Sequence, residues 1–358
     1  MKNTYPKYFL GANSCEGFVS HFSDSYLAGD GWRAYIIKGG PGTGKSSFMK
    51  YMASVAERYG YSTELCVCSS DPGSLDGIII KDMKTVFLDG TSPHVVEPKY
   101  PGACEEIINL GAFWDAEKLA SKEKQIIEVT NKNKLLHKAA SGYLSACGEL
   151  IYDNLKLSRL LANGDKTKAF ALNLCKKYIP KKSSGKGKEW VRFISGITPL
   201  GVVSYSGTVT DFFENVIIID DKYGGVAGII TDAVRNYALS LGYEIITLKN
   251  SFLPSEMCDH ILIPELSLAV VRESEYTHFE SGERRIHARR FTDLSQMHSN
   301  RPRMLFNRRV ARELLLTASS TLSKAKSVHD DLEKYYVDAM DFTALSVYAE
   351  SLSKKIFK

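Results

Sequence analysis

Two spacings of apolar residues divide the chain. Short apolar runs at residues 34–38, 62–68 and 85–88 read as buried strands. Residues 47–58, between the first two runs, carry their apolar side chains on one helical face. The same succession then returns. Tyr8-Phe9-Leu10-Gly11 and Gly17-Phe18-Val19-Ser20 match Arg192-Phe193-Ile194-Ser195-Gly196 and Gly201-Val202-Val203-Ser204. Tyr35-Ile36-Ile37 matches Ile217-Ile218-Ile219, and the helices that follow end in Gly60-Tyr61 and Gly242-Tyr243. Ile78-Ile79-Ile80-Lys81-Asp82-Met83 pairs with Ile261-Leu262-Ile263-Pro264-Glu265-Leu266, and His94 with His278. Anchors in one order at a nearly constant offset predict a tandem duplication.

Each half runs on into a helical tail. Residues 116–161 contain no proline and place Leu136, Ala140, Tyr143, Cys147, Leu150 and Ile151 at three-four spacing, which predicts one buried stripe. Asn163-Gly164-Asp165 breaks the pattern, and a shorter helix is expected over 166–177. Residues 308–353 have the same character. Helical hairpins packed on each core are expected, in preference to a coiled-coil dimer contact. The predicted division is a core over 1–115, an extension over 116–180, a linker over 181–189, a second core over 190–300 and a second extension over 301–358. The lysine, glycine and serine of residues 181–188 suit a solvated linker; contact with phosphates or an anionic surface is the lesser reading.

Composition narrows the setting. At 358 residues and 44% apolar, the chain has material for two cores. A net charge of +5 is too mild to imply a nucleic-acid partner by itself. No stretch reaches membrane-spanning length, and the N-terminus lacks a signal peptide's apolar run. The seven cysteines are scattered, and the one-residue gap between Cys66 and Cys68 is not a zinc spacing; both read as buried small hydrophobes on one strand face. A cytoplasmic protein with no membrane partner is expected.

The chemistry begins where the strand at 34–38 runs into Gly39-Gly40-Pro41-Gly42-Thr43-Gly44-Lys45-Ser46, which fits G-x-x-x-x-G-K-[ST]. Glycines let the backbone turn its N–H groups inward as an anion nest, and the following helix points its N-terminus at the same place. Lys45 is expected on the β- and γ-phosphates and Ser46 on Mg²⁺, with Ser47 completing the binding set. Asp89 closes the apolar run 85–88, the position of the second Mg²⁺-holding carboxylate. Asp76 is expected in a loop at the carboxyl end of the sheet, as a base or metal contact; Asp71, in Asp71-Pro72-Gly73, reads equally well as a turn residue. Thr91 and His94 are candidates for sensing the γ-phosphate or positioning water, against an equal reading as a polar turn.

In the second half, ungapped alignment sets residues 221–228 opposite 39–46, so that Ala227 replaces Lys45 and Gly228 replaces Ser46. Asp221 brings negative charge to the phosphate position, and Arg272 falls opposite Asp89. Turnover there is not expected. The silent copy has three open uses: structural cover, binding of a substrate or partner, or an arginine lent to the active copy. Arg284, Arg285, Arg289, Arg290, Arg301, Arg303, Arg308, Arg309 and Arg312 form a basic cluster that would equally take RNA, DNA or a phosphorylated small molecule.

Tyr8-Phe9-Leu10-Gly11, the loop from Lys38 through Ser47, Cys68-Ser69-Ser70-Asp71-Pro72, Leu75-Asp76-Gly77 and Asp89-Gly90-Thr91-Ser92-Pro93-His94 together resemble one family. It is the tandem P-loop ATPase-like proteins of spore-forming Firmicutes and related bacteria. The resemblance spans nearly the whole chain and implies a bacterial cytoplasmic ATP-binding protein, with no substrate attached. Family members can keep a better phosphate loop in the second half, from which this sequence departs. The expected fold is α/β, a tandem duplication of a P-loop NTPase-like three-layer α/β/α domain with helical extensions and a degenerate second loop. The expected function is Mg²⁺-dependent ATP hydrolysis coupled to motion between the halves, with Lys45, Asp89 and Asp76 as catalytic residues. A kinase acting on a small-molecule acceptor, and a non-catalytic ATP switch for a protein partner, are the alternatives.

Overall fold

The computed structural model describes residues 5–182 and 185–357; residues 183 and 184 of the predicted linker lie outside them. The first half runs β1 (Lys7–Tyr8), β2 (Gly11–Ser14), β3 (Gly17–Ser20), β4 (Arg33–Lys38), α1 (Lys45–Arg58), β5 (Glu64–Val67), β6 (Leu75–Ile80), β7 (Thr85–Asp89), β8 (Glu105–Asn109), α2 (Ala116–Ala120), α3 (Glu123–Leu161) and α4 (Gly164–Tyr178). The second runs β9 (Lys188–Arg192), β10 (Ser195–Thr198), β11 (Gly201–Ser204), α5 (Gly207–Thr210), β12 (Asn215–Asp220), α6 (Gly225–Ser240), β13 (Glu244–Lys249), β14 (Cys258–Ile263), β15 (Leu268–Glu273), β16 (Arg284–His287), α7 (Leu294–Ala339) and α8 (Phe342–Ile356).

Both halves build a mixed six-stranded sheet. The orders are β1-β5-β6-β7-β4-β8 and β9-β13-β14-β15-β12-β16, which correspond strand for strand. In each, the third strand is antiparallel to both neighbours and the other pairings are parallel. The hairpins β2-β3 and β10-β11 join in a third sheet that ties the halves together. Phe9 and Phe193 exchange backbone hydrogen bonds of 2.8 and 2.9 Å beside it.

Strand alternation sends each sheet's two faces to different cores. Tyr35 and Ile37 of β4 pack with Phe48, Met49 and Met52 of α1, whereas Ala34 and Ile36 enter a cluster that also holds Val216 and Ile218 of β12. Ile217 and Ile219 face α6 on the opposite side. Each sheet therefore carries long helices on one face and shares a single inner core with the other half through the second. The expected three-layer domain is replaced by this shared arrangement, because the inner faces are apolar in both halves and bury each other.

The helical tails also depart from expectation. Instead of packing on their own cores, they cross over. Ala171, Leu174 and Cys175 of α4 lie against Val226, Ile230 and Val234 of α6, while Leu345, Ala349 and Leu352 of α8 lie against α1. Two reciprocal elbows fix the exchange: Asp115 N–H donates to Ala339 O and Asp341 N–H to Phe113 O, as Asp293 N–H does to Leu161 O and Asn163 N–H to Phe291 O. The Asn163 and Asp341 side chains cap α4 and α8. The long helices α3 and α7 pack on each other, so the intramolecular reading of the tails holds. The α3 stripe is shifted from the expected one: Ala140, Leu144 and Cys147 are buried, and Tyr143 is exposed. Helix α7 starts well before residue 308 and runs through Pro302, with Arg303 and Asn307 holding Asp153 of α3 across the possible break. Among the described residues no helix is long and apolar enough to cross a membrane.

Candidate functional site

The glycine-rich loop leaves β4 at Lys38 and enters α1 at Lys45, with Gly44 at a φ of 88° as the helix cap. That left-handed conformation favours glycine at this turn. Lys45 Nζ lies folded over the loop, donating to Gly40 O at 2.8 Å and Gly39 O at 3.2 Å, and stands 3.7 Å from Asp89 Oδ2. Thr43 Oγ1 donates to Gly40 O and closes the turn. Ser46 Oγ accepts from Leu75 N at 2.9 Å, which ties the start of α1 to the residue before Asp76. Ser47 is exposed on the first turn of α1.

Sheet order brings the carboxylates to the loop. Asp89 ends β7, the strand hydrogen-bonded directly to β4, and pairs in register with Ile37. Thr91 holds Asp89 Oδ1 through its N–H at 2.9 Å and its hydroxyl at 2.6 Å, an Asx turn that fixes the carboxylate. Asp76 is the second residue of β6 rather than part of a loop. Because β6 runs antiparallel to β7, its beginning reaches the same end of the sheet as the carboxyl ends of β4 and β7. Burial, with the Asp89 charge beside it, raises the Asp76 carboxyl to about 6 despite the opposing pull of His94. His94 stacks flat on Phe22 at 4.3 Å, and its Nε2 stands 4.0 Å from both Asp76 Oδ1 and Asp89 Oδ1. Asp71 serves the turn, accepting from Gly73 N and Ser74 Oγ, and meets Lys326 of α7 at 3.6 Å.

The second loop is built on the same frame with other contents. Gly224 has a φ of 88° at the start of α6, as Gly44 does before α1. Six residues, Gly39 to Gly44, separate strand from helix in the first half, and four, Asp221 to Gly224, in the second. The ungapped alignment is therefore corrected: Gly225 and Val226, not Ala227 and Gly228, stand at the Lys45 and Ser46 positions. Asp221, the residue after β12, turns its carboxylate into the loop. Oδ1 accepts from the N–H groups of Tyr223 and Gly224, and Oδ2 from those of Val226 and Ala227 at 2.9 and 2.8 Å. The nest thus holds an internal anion. Its counterpart in the first half is Gly39, which has no side chain, and a Cβ there would fall 2.6 Å from Thr43 Oγ1.

Arg272 does pair in register with Ile219 as Asp89 does with Ile37. Its guanidinium is used up locally, on Asp221 O, Lys222 O and a 2.6 Å bond to Asp259 Oδ1. Asp259, the second residue of β14, is the counterpart of Asp76 and was legible at the same offset, though sequence reasoning passed over it. Two acids in one half thus face an ion pair in the other. His94 and His278 part company: the first is buried and the second exposed.

The basic cluster stands apart from the first loop. Arg285, Arg303 and Arg308 pair with Glu273, Asp153 and Glu275, and Arg284 and Arg290 lie over the Phe170 ring. Along α7, Arg312 lies about 36 Å of helix axis before Tyr336, at 1.5 Å per residue. Tyr336 is the part of α7 that touches the glycine loop: a Cβ on Gly40 would meet its ring at 2.4 Å, and one on Gly42 would meet Glu333 O at 2.9 Å. The α7 arginines cannot reach Lys45 within one chain. Sequence gave no sign of the Tyr336 contact, since it arises from the crossing of the tails.

The first site thus gathers a glycine loop with an ammonium, a hydroxyl and two buried carboxylates, one of them raised toward neutrality. Oxygen donors from Ser46 and Asp89 suit a hard divalent cation. No protein-family model, no curated protein and no solved structure matches the chain.

Proposed function

We propose that the chain is a cytoplasmic, Mg²⁺-dependent ATP-binding protein that hydrolyses ATP at its first glycine loop. We further propose that it arose by tandem duplication of a P-loop unit whose second copy has lost the chemistry. The observation that carries the reading is the contrast between Gly39 and Asp221. One frame fills its nest with its own carboxylate, whereas the other keeps a glycine there and adds Lys45 beside Asp89. A nest filled by a carboxylate in one copy suits an anion from outside in the other.

In this reading Gly39, Gly40, Pro41, Gly42, Thr43 and Gly44 wrap the phosphates, and Lys45 moves from the loop carbonyls to the β- and γ-oxygens. Ser46 and Asp89 would hold Mg²⁺, which neutralises charge on those oxygens when bound. Asp76, raised to about 6 by burial, is suited to taking a proton from an attacking water. Motion would pass to the second half through Tyr336, Glu333 and Val337, which lie on the outside of the loop. The kinase reading keeps one specific support, the Asp89 strand lying next to the loop strand as in kinase-like P-loop folds.

The test is phosphate release from Mg·ATP by wild type and Lys45→Ala, with ATP binding followed in parallel. Release by the wild type that the mutant loses is the expected result. Binding with ADP formed only in the presence of an acceptor would replace hydrolysis by the kinase reading, and no ATP binding at all would overturn the proposal.

A further inference from the structure

We infer that Asp76, Asp89 and His94 form a protein-held site for a divalent first-row transition-metal ion, loaded without nucleotide. This goes beyond the nucleotide reading, in which Mg²⁺ arrives on Ser46 and Asp89 with ATP.

The first observation is the cluster itself. One ligand atom from each of the three residues lies within 4.8 Å of the others, and all three side chains are buried. They come from three elements: the start of β6, the end of β7 and the segment that follows it. The second observation is independent. His94 is 7% exposed, and among the described residues neither Nδ1 nor Nε2 has a hydrogen-bond partner. A buried imidazole left this way loses its hydration without compensation unless a ligand satisfies it. The ring is held by its faces, flat against Phe22 at 4.3 Å and near Phe18 at 6.0 Å, while Nε2 is aimed at the carboxylates.

Spacing decides between a direct hydrogen bond and a bridging ion. Nε2 is 4.0 Å from each carboxylate oxygen, well beyond hydrogen-bond reach. Two atoms bound to one ion at about 2.1 Å stand no more than about 4.2 Å apart, so these spacings admit an ion between them. At the angles a four- or six-coordinate ion takes, such donors stand about 3.0–3.4 Å apart, so loading draws the side chains together by roughly 0.6 Å or more. Donor chemistry then selects the ion: two carboxylates accept any divalent cation, but an imidazole favours Mn²⁺, Fe²⁺ or Zn²⁺ over Mg²⁺. Among the described residues the second half has no such set, because Arg272 occupies Asp259 and His278 is exposed.

The test titrates Mn²⁺ into nucleotide-free full-length protein and follows free Mn²⁺ by electron paramagnetic resonance. One bound ion per chain is expected, with Mg²⁺ competing at least about tenfold more weakly. His94→Gln and Asp76→Asn should each weaken binding about tenfold or more, by removing one ligand. Lys45→Ala should bind Mn²⁺ at least as well as wild type, because the ammonium beside Asp89 is gone, even though ATP binding is lost. That variant separates failure of this site from failure of the nucleotide reading. Circular dichroism confirms that each variant is folded, and Mn²⁺ should raise the wild-type melting temperature but not that of Asp76→Asn. Free Mn²⁺ unchanged by the wild-type protein would overturn the inference, as would wild-type affinity in both folded ligand variants.

Discussion

Arg272 holds Asp259 at 2.6 Å at the two positions where the first half sets Asp89 beside Asp76. Corresponding strands thus present an acid pair in one half and a closed ion pair in the other. Burial by itself would raise Asp259, but the guanidinium, with Asn250, holds its carboxyl below the usual range. Arg272→Met leaves that carboxylate buried and unpaired and should destabilise the protein by about 3–5 kcal/mol. Replacing both partners, as Arg272→Met with Asp259→Leu, should recover much of the loss. Urea unfolding of wild type and the two variants checks this; equal losses in the single and double mutants would contradict it.

Asp221 is the next place where the halves diverge. Its carboxylate receives four backbone N–H groups that otherwise have no acceptor in that loop. Asp221→Gly should cost about 2–4 kcal/mol, the value of a few charge-assisted bonds lost together. Sulfate at tens of millimolar should restore part of it, because an external anion enters the vacated nest. A melting temperature in Asp221→Gly that sulfate raises no more than it raises wild type would mean that the loop collapses instead.

Gly40 and Tyr336 couple the first loop to the second half's tail. A methyl at residue 40 would meet the ring at 2.4 Å, so Gly40→Ala must displace either the loop or α7. Weakened ATP binding is expected in Gly40→Ala, and Tyr336→Ala in the same chain should restore most of it. Binding measured across the double-mutant cycle should show a coupling of about 1 kcal/mol or more. Strictly additive effects would remove the proposed route from the loop to the tail.

How much of this was written in the sequence depends on how local the signal is. The strand at β4, the glycine loop and Asp89 were legible because a buried strand, a left-handed glycine and a terminal carboxylate are each set within a few residues. The likeness of the two sheets was legible for the same reason, since both halves carry the same apolar anchors in the same order. Loop length was not, because a loop two residues shorter leaves no apolar mark; the φ of Gly224 and the start of α6 at Gly225 reveal it. The crossing of α4 and α8 was hidden too. An amphipathic stripe states that a face is buried, not which core buries it, and the choice is made at the Asp115–Ala339 and Asp293–Leu161 elbows. Asp76 reached the site as a strand residue because β6 is antiparallel, a pairing sense that spacing does not encode.

His260 supplies a pH dependence to the second half. The ring is buried, and its Nδ1 accepts from Arg272 N at 3.0 Å, which requires the neutral form. Burial, helped by the nearby Arg272 and opposed by Asp259, lowers its pKa to about 4. The unfolded value is about 6.5, so the unfolded chain takes up the proton first as pH falls. The contribution is therefore complete above about pH 6.5 and is lost progressively down to about pH 4. Asp259, held low by Arg272, titrates below this window. Urea unfolding of wild type at pH 7, 6, 5 and 4.5 should carry this one-proton component, roughly 1.4 kcal/mol per pH unit at most. It is set against the opposite component of Asp76, whose raised carboxyl takes up its proton in the folded chain first. In His260→Gln that component is absent while the amide oxygen can still accept from Arg272 N–H, so the acid limb should be shallower. Parallel limbs would show that His260 is already protonated in the folded protein, and the bond from Arg272 would then have to be abandoned.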